Sequence, residues 1–323
     1  MISFTDQSRS SRLGSVKLEF FKNYVSNTLA GSASQSHFDT DGVMTGRVYY
    51  KLFCGGDYEY SLLFSNITDS TFSDGSRSVC NDLGGSWEIV DARVGICTSC
   101  GMNDPQEPKQ FIRLTFSGVN NKHVVPGELF ASDPVMFEAA EGEYLCIELT
   151  FTGDRVVCHP ELQVAAFISE NGKWIPSQKL PVPSMVGCRR AVKRRIGFLG
   201  DSITQGIGST NNSYLHWNAR VADMLGQENA YHNLGIGYAR CADAATDGVW
   251  LNKAKQNDIV VVCLGVNDLL RGYDGVTLTE NLRKVVKALK AAGVKVILQS
   301  IPPFDYKDEI KENGAVALNV YCV

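Results

Sequence analysis

The sequence predicts an all-β region followed by a parallel α/β sheet. Short runs rich in β-branched and aromatic residues recur from about residue 43 to 180, separated by Gly, Asp, Asn and Pro. After a proline-containing stretch at residues 180–184, apolar strands alternate with helical patterns. The chain has 323 residues, 44% of them hydrophobic, which is enough for two cores. We therefore expect a jelly-roll-like β-sandwich domain at 1–185, a basic linker at 186–193 and a doubly wound, flavodoxin-like domain at 194–323.

Six stretches of the β-region have the residue pattern of a β-strand. Residues 1–40 are weakly patterned, although residues 16–25 form an amphipathic piece that suits either a strand or a short helix. Many short strands at regular spacing, with turn residues between them, indicate a sandwich or jelly roll. The predicted strands are 46–53, 58–64, 86–94, 111–116, 144–152 and 162–168.

The aromatic residues of this region leave two interpretations open. They could fill the core of the sandwich, which is the more frequent role of such side chains. They could also form an exposed platform on which sugars stack. The residues concerned are Tyr49, Tyr50, Tyr58, Tyr60, Trp87 and Trp174.

A linker is predicted next, because Pro181 and Pro183 cannot lie together in a central strand or a helix. The basic cluster that follows reads as a solvated segment and not as a binding patch. It consists of Arg189, Arg190, Lys193, Arg194 and Arg195.

The C-terminal region alternates between strand and helix patterns, as a parallel sheet requires. Predicted strands are 196–200, 230–234, 258–265 and 294–301, and predicted helices are 213–225, 242–255, 278–292 and a short one at 315–321.

Composition excludes several classes of function. The formal net charge of −4 gives no sign of nucleic-acid binding, and no apolar run approaches the ~18 residues of a membrane span. Ten cysteines are scattered, several within apolar strand patterns, as buried reduced thiols are. With no signal sequence visible at the N-terminus, we expect a cytoplasmic protein. Cys97 and Cys100 form a lone CxxC without the second pair that a zinc ribbon needs, so no metal site or cofactor is expected.

Polar residues follow three of the predicted parallel strands. Ser202 lies in residues 200–206 after the first strand, residues 233–238 (NLGIGY) follow the second, and Asn267 follows the third. Strand ends of an open α/β sheet share one edge, where ligands bind. A serine hydroxyl with N–H donors around it suits attack on an ester, because the donors stabilise the forming oxyanion.

These stretches resemble the blocks of the SGNH (GDSL) hydrolase family over residues 194–323. The resemblance implies that Ser202 is the nucleophile and that Ser202 and Asn267 supply oxyanion donors. The family's oxyanion glycine aligns with Tyr238, and Gly237 lies one position earlier. The N-terminal region resembles the β-domain before some arylesterase/acylhydrolase-type members, on stretches 63–66, 114–118 and 132–135. The implied substrates are small O-acyl esters, acetyl esters above all, of carbohydrates or other small molecules.

The family's fourth block, an Asp-x-x-His that carries the base, has no counterpart in this chain. None of the five histidines follows an aspartate by three residues, and we expect each to be structural. They are His37, His123, His159, His216 and His232. We therefore expect a C-terminally incomplete hydrolase that is nearly inactive as written, since a triad without its base loses about 10⁴–10⁶ in kcat.

Two other functions remain open. The chain could be a carbohydrate-binding or scaffolding relative that has lost its base and no longer cuts its ligand. It could also be a flavodoxin-like nucleotide or flavin module, although residues 206–209 (GIGS) match neither GxGxxG nor a Walker loop.

Overall fold

The computed structural model describes residues 19–72 and 78–301, in which β-strands precede a parallel α/β unit. Residues 19–23 are helical, and residues 16–18 of the predicted amphipathic piece lie outside the described part, as does the short helix predicted at 315–321. The strands of the β-region are β1 Val25–Ser26, β2 Ser36–Phe38, β3 Met44–Lys51, β4 Gly56–Ser65, β5 Ile67–Phe72, β6 Ser78–Leu83, β7 Trp87–Cys97, β8 Ile112–Arg113, β9 Lys122–Val124, β10 Leu129–Ala131, β11 Val135–Ala139, β12 Tyr144–Gly153, β13 Val156–Cys158, β14 Ala166–Glu170, β15 Lys173–Pro176 and β16 Met185–Arg189.

Two large antiparallel sheets carry most of the β-region. One has the order β1-β16-β4-β10, with β11 also pairing with β4, and the other has the order β15-β14-β3-β12-β7-β8, with β9 pairing with β7. Two smaller sheets have two strands each, β13 with β2 and β5 with β6. Side chains of both sheets meet in one core, for example Val48 and Ile147 from one sheet and Leu62 and Phe64 from the other. β16 covers the first part of the predicted linker, and residues 190–194 connect it to the next strand.

The aromatic residues of the β-region are mostly in its core. Tyr49, Tyr50, Tyr60 and Trp87 are at most 3% exposed. Trp174 is half-buried under the guanidinium of Arg47, whose Cζ lies 4.2 Å from the ring centroid. Most of the proposed sugar platform is therefore inside the protein.

The C-terminal unit is a four-stranded parallel sheet of order β18-β17-β19-β20. β19 is flanked on both sides by other strands, and its residues Val260 and Val262 are fully buried. The elements are β17 Arg195–Gly200, α1 Ser202–Gln205, α2 Trp217–Leu225, β18 Ala230–Asn233, α3 Cys241–Ala244, α4 Val249–Ala254, β19 Ile259–Cys263, α5 Val266–Leu270, α6 Gly275–Ala291 and β20 Lys295–Leu298.

Two predicted helices differ from the observed ones for a local reason. The helix predicted to start at residue 213 starts at Trp217, because Asn212 and Tyr214 have left-handed φ values of 61° and 57°. The helix predicted over 242–255 is interrupted between α3 and α4, where Asp247 has φ 58°. Left-handed residues cannot continue a right-handed helix.

The segment before β2 packs against the parallel sheet. The N–H of Ser32 donates to the carbonyl of Asn233 at 3.1 Å, and Ala33 belongs to the core of the parallel sheet. The parallel α/β unit in turn contacts the β-region, because Lys253 on α4 forms a fully buried ion pair with Asp69 on β5 at 2.7 Å. The β-region is thus joined to the sheet beside the loops that follow β17 and β18.

Candidate active site

Three loops at one edge of the parallel sheet carry the predicted site residues. The loop after β17 holds Ser202, the loop after β18 holds Gly237 and Tyr238, and α5 after β19 holds Asn267. Backbone contacts join the first two loops, since the N–H of Ile236 donates to the carbonyl of Gly200 at 3.1 Å. The side chain of Asn267 joins the second loop to the third, as described below.

Ser202 is the first residue of α1 and is partly exposed. Asp201 caps this helix, because its carboxylate accepts from the N–H of Ile203 at 3.0 Å. A side chain at Gly200 would meet the hydroxyl of Thr204 at 2.0 Å, so the turn into the helix needs glycine there. The N–H of the first helical residue has no acceptor within its own helix and is therefore suited to an anionic partner.

The second loop contains a residue in an uncommon conformation. Tyr238 has φ 61°, in the left-handed region that glycine adopts without strain, and 40% of its surface is exposed. This is the position where the family's oxyanion glycine aligns. Gly237 is buried, and a side chain there would meet the carboxylate of Glu161 at 1.9 Å.

The side chain of Asn267 is buried, and its amide nitrogen donates to the carbonyl of Ala239 at 3.0 Å. A side-chain amide has two N–H donors, so this bond leaves a second hydrogen for another acceptor. Asp268 is fully buried and accepts from the N–H groups of Cys241 and Ala242 at 2.7 and 3.0 Å. Through these bonds, α5 holds the end of the loop after β18 and the start of α3 in place.

Two buried carboxyl groups lie in this site. Burial is the main cause that raises the pKa of Asp201 to about 7; the N–H of Ile203 opposes this shift and the charge of Asp268 contributes to it. Burial raises the pKa of Asp268 to about 6 against the two N–H donors of α3 that favour its charged form. Sequence reasoning missed both residues as contributors, although each stands next to a predicted site residue in the chain.

Three of the histidines bond to or lie near partners other than Ser202. His37 lies 3.2 Å from the carboxylate of Asp82, and His123 is an exposed residue near Glu88. The Nδ1 of His216 accepts from the helix N–H of Ala219 and caps α2, although the residue was predicted to lie inside that helix.

The other two histidines are completely buried where the β-region meets the sheet. His159 bonds to the amide of Gln35 at 3.2 Å, and His232 bonds to the carbonyl of Ser184 at 3.1 Å and lies 3.0 Å from the hydroxyl of Ser32. Burial lowers the pKa of both imidazoles to about 4. Both are therefore neutral structural groups near neutral pH.

Two residues of the β-region contact the loops after β17 and β18, and nothing in the sequence pattern pointed to them. Gln35 Nε2 lies 3.5 Å from the carbonyl of Gly237 and donates to the carboxylate of Glu161 at 2.5 Å. The backbone carbonyl of Glu161 accepts from the side chain of Gln205, in α1, at 2.6 Å.

The C-terminal region matches a known family. Residues 198–320 match the model of the GDSL-like Lipase/Acylhydrolase family. We refer to this matched region as the GDSL-like domain. Ser202, Tyr238 and Asn267 all lie within this GDSL-like domain. No curated protein matches the chain.

Solved structures of esterases resemble the chain at low identity. AlinE4, an SGNH-hydrolase family esterase, is 23% identical, and the match covers 34% of this chain and 61% of AlinE4, with a TM-score of 0.30. The psychrotrophic esterase EstA from Pseudoalteromonas sp. is 21% identical over 40% of this chain and 69% of its own, with a TM-score of 0.32. The acetyl xylan esterase AlAXEase is 24% identical over 40% of this chain and 70% of its own, with a TM-score of 0.31. The chain therefore spans less than two thirds of the length of AlinE4.

The described residues also show what the GIGS stretch does and whether they hold a metal-binding cluster or a membrane-spanning helix. Gly206 ends α1 with φ 113° and packs against the ring of His216, so the GIGS stretch serves as the turn out of α1. Residues 19–72 and 78–301 contain no group of three or more His, Cys, Asp or Glu side chains that could hold a metal ion. No helix in these residues is long and apolar enough to cross a membrane.

Proposed function

We propose that the GDSL-like domain cleaves small O-acyl esters through an acyl-enzyme on Ser202. The Ser202 oxygen bonds to the ester carbonyl carbon and gives its proton to a base. The tetrahedral intermediate then loses the alcohol, which takes a proton, and water releases the acyl group as an acid in a second, equivalent step. The observation that carries this proposal is the joining of three strand-end loops around a serine at a helix N-terminus.

Three N–H donors are proposed for the oxyanion. They are the backbone N–H groups of Ser202 and Tyr238 and the second amide hydrogen of Asn267. The bond from Asn267 to Ala239 supports this role, because it fixes the plane of the amide before substrate binds. The loss of one such donor typically costs about 10²–10³ in kcat.

We propose an acetyl or another short acyl group as the substrate's reacting part. Tyr238 takes the place that the family resemblance assigns to a glycine, and 40% of its surface is exposed, so we propose that its ring narrows the acyl site. The alcohol is proposed to be a carbohydrate or another small molecule, on the strength of the family resemblance alone.

The base is the incomplete part of this proposal. The five histidines bond to or lie near groups other than Ser202. These contacts support slow turnover, because none of the five is placed to accept the serine proton. External imidazole, which is the side chain of histidine in free form, should then raise the rate by accepting the serine proton.

The deciding experiment measures hydrolysis of p-nitrophenyl acetate by the full chain at increasing imidazole concentrations. Imidazole also hydrolyses this ester directly, so the quantity of interest is the rate with wild type minus the rate with Ser202→Ala. We expect this difference to be small without imidazole and to rise with its concentration. Ser99→Ala, at an exposed serine of the β-region, is the matched control and should behave as wild type.

The same experiment also distinguishes the esterase from a second candidate function, a relative that binds its ligand without cutting it. A difference of zero at every imidazole concentration, with acetylated oligosaccharides still bound, would contradict an esterase. It would favour a ligand-binding relative that holds its ligand without cutting it, which the engagement of every histidine elsewhere also suits.

A further inference from the structure

The β-region contacts the loop after β18, residues 234–240, at Gly237 among other positions; we call this loop the oxyanion loop. The carbonyl of Gly237 lies 3.5 Å from the amide nitrogen of Gln35, in the segment before β2. A Cβ at Gly237 would meet the carboxylate of Glu161 at 1.9 Å and Gln35 at 2.9 Å. The loop and the two polar side chains are therefore in close contact, with no space for another side chain between them.

The amide of Gln35 is held in one orientation by its own partners. Its backbone N–H donates to the carbonyl of Cys158 at 3.1 Å, which fixes the main chain. Its side-chain oxygen lies 3.2 Å from Nδ1 of His159. His159 is fully buried and neutral, so a proton on Nδ1 serves this bond. The amide nitrogen of Gln35 therefore faces Glu161 and Gly237, both of which offer oxygen atoms that accept its hydrogen bonds.

The geometry of a peptide bond links this contact to the proposed oxyanion donor. The carbonyl of Gly237 and the N–H of Tyr238 belong to the same planar trans peptide, in which the two groups point in opposite directions. A carbonyl held toward Gln35 therefore directs the N–H of Tyr238 away from the β-region. This orientation needs support, because the left-handed φ of Tyr238 is a strained conformation for a residue that carries a side chain.

We propose that Gln35 and Glu161 are positioning residues that hold the Gly237–Tyr238 peptide in the orientation that an oxyanion donor needs. The role rests on the proposed function of the GDSL-like domain. Gln35 acts through the carbonyl of Gly237, and Glu161 acts by holding the Gln35 amide and by packing on Gly237. Glu161 also anchors α1, because its backbone carbonyl accepts a hydrogen bond from the side chain of Gln205. The β-region thus completes the site without contacting the reacting atoms.

The test replaces Gln35 by Leu, which keeps its size and removes its donors. With p-nitrophenyl acetate and imidazole, we expect kcat to fall about tenfold and KM to stay within about threefold, since oxyanion donors act mainly in the transition state. Gln35→Glu keeps the acceptor for His159 but has no donor, so it should show the same loss and decides the matter if the Leu variant does not fold. Gln106→Leu is the matched control, because its amide donates only to the surface residue Asp104 at 2.8 Å.

A second measurement does not depend on turnover. Hydrogen exchange of the peptide covering residues 234–240 should be faster in the Gln35 variants and unchanged in Gln106→Leu. If wild type shows no Ser202-dependent turnover, the proposed function fails and this exchange alone decides the positioning role. A kcat within twofold of wild type, or unchanged exchange where turnover is absent, would overturn the proposal.

Discussion

Tyr238 stands at the position that the family resemblance assigns to an oxyanion glycine. Its backbone has a left-handed φ of 61°, which glycine adopts without strain, and 40% of its surface is exposed. The substitution Tyr238→Gly should therefore act twice. It relieves the strain of a left-handed tyrosine, and it opens space for a longer acyl chain.

We expect the ratio of kcat/KM for p-nitrophenyl butyrate to that for the acetate to rise roughly tenfold in Tyr238→Gly, which is a usual effect of methylene-sized changes in a pocket. Steady-state kinetics with imidazole present measures this ratio. Asn171→Gly, at another left-handed position in the turn between β14 and β15, is the control and should leave the ratio unchanged. An unchanged ratio in Tyr238→Gly would show that the ring does not limit the acyl site.

Asp201 gives the site a pH dependence whose sign follows from its raised pKa. In the folded protein the carboxyl keeps its proton up to about pH 7, whereas in the unfolded chain it loses the proton near pH 4. The folded state therefore binds more protons between these values, and the contribution of Asp201 to stability falls as pH rises from about 4 to about 7. A shift of this size corresponds to at most about 4 kcal/mol.

The substitution Asp201→Asn removes the charge and keeps an oxygen that accepts from the N–H of Ile203. We expect the Tm of this variant, relative to wild type, to rise from pH 4 to pH 8, and thermal unfolding at both pH values measures it. Asp274→Asn is the control, because Asp274 caps α6 in an exposed position where the N–H of Thr277 lowers its pKa. A relative Tm of Asp201→Asn that stays constant with pH would contradict the buried-acid interpretation.

The sequence predicted residues that carry a motif and missed those whose role comes from burial. Ser202 and Asn267 were predicted as site residues because they follow apolar strands in recognisable stretches. Asp201 and Asp268 stand beside them, yet their raised pKa values depend on burial from water, which no local pattern reveals. Gln35 is separated from Gly237 by 202 positions, so only the folded chain shows their contact.

Among the elements, the strands of the parallel sheet were the most predictable and the helices the least. β17, β18 and β19 lie within one or two residues of their predicted bounds, because buried parallel strands are nearly continuous apolar runs. The helix pattern of residues 242–255 is divided by the left-handed Asp247, whose conformation is stabilised by the fold around it. The jelly-roll arrangement of the β-region remains a prediction.

Helix α4 and strand β5 are joined by a charge pair that is sensitive to substitution. Lys253 is 1% exposed and donates to both oxygens of Asp69 and to the hydroxyl of Ser184. Removal of one member of a buried pair leaves an uncompensated charge, which costs about 3–5 kcal/mol. Lys253→Met should lower the free energy of unfolding by this amount, measured by urea denaturation.

The partner substitution tests whether the cost comes from the unpaired carboxylate. In Lys253→Met/Asp69→Asn the remaining side chain is neutral, and its oxygen still accepts from the N–H of Ser34, as the carboxylate does at 2.8 Å. The double variant should therefore be more stable than Lys253→Met alone. Equal stability of the two variants would show that lost packing, and not charge, is the cause.

At the scale of the whole molecule, the β-region and the GDSL-like domain share cores and not merely a surface. Leu29 and Ala33, which precede β2, lie in hydrophobic clusters of the parallel sheet. The buried pair Lys253–Asp69 and the bond between His232 and Ser184 cross the same boundary. Interfaces between ordinary domains are more polar and separate more easily.

We therefore expect the two parts to unfold together. Two tryptophans, Trp87 and Trp174, lie in the β-region, and Trp217 and Trp250 lie in the GDSL-like domain, so each part carries its own fluorescent probes. Trp87→Phe/Trp174→Phe reports on the GDSL-like domain, and Trp217→Phe/Trp250→Phe reports on the β-region. Because each pair of substitutions also removes core volume, each variant is compared with its own circular dichroism transition, which follows both parts at once.

In each variant the fluorescence and circular dichroism midpoints should coincide, as in a single cooperative transition. Separate transitions would mean that the shared cores do not couple the two parts. In that case Lys253→Met should shift both transitions, because the buried pair has one member in each part. With coupled unfolding, the same variant should lower one common midpoint. The contact of Gln35 with Gly237 would then persist for as long as the parallel sheet itself is folded, so the oxyanion loop would retain its orientation up to the global unfolding temperature.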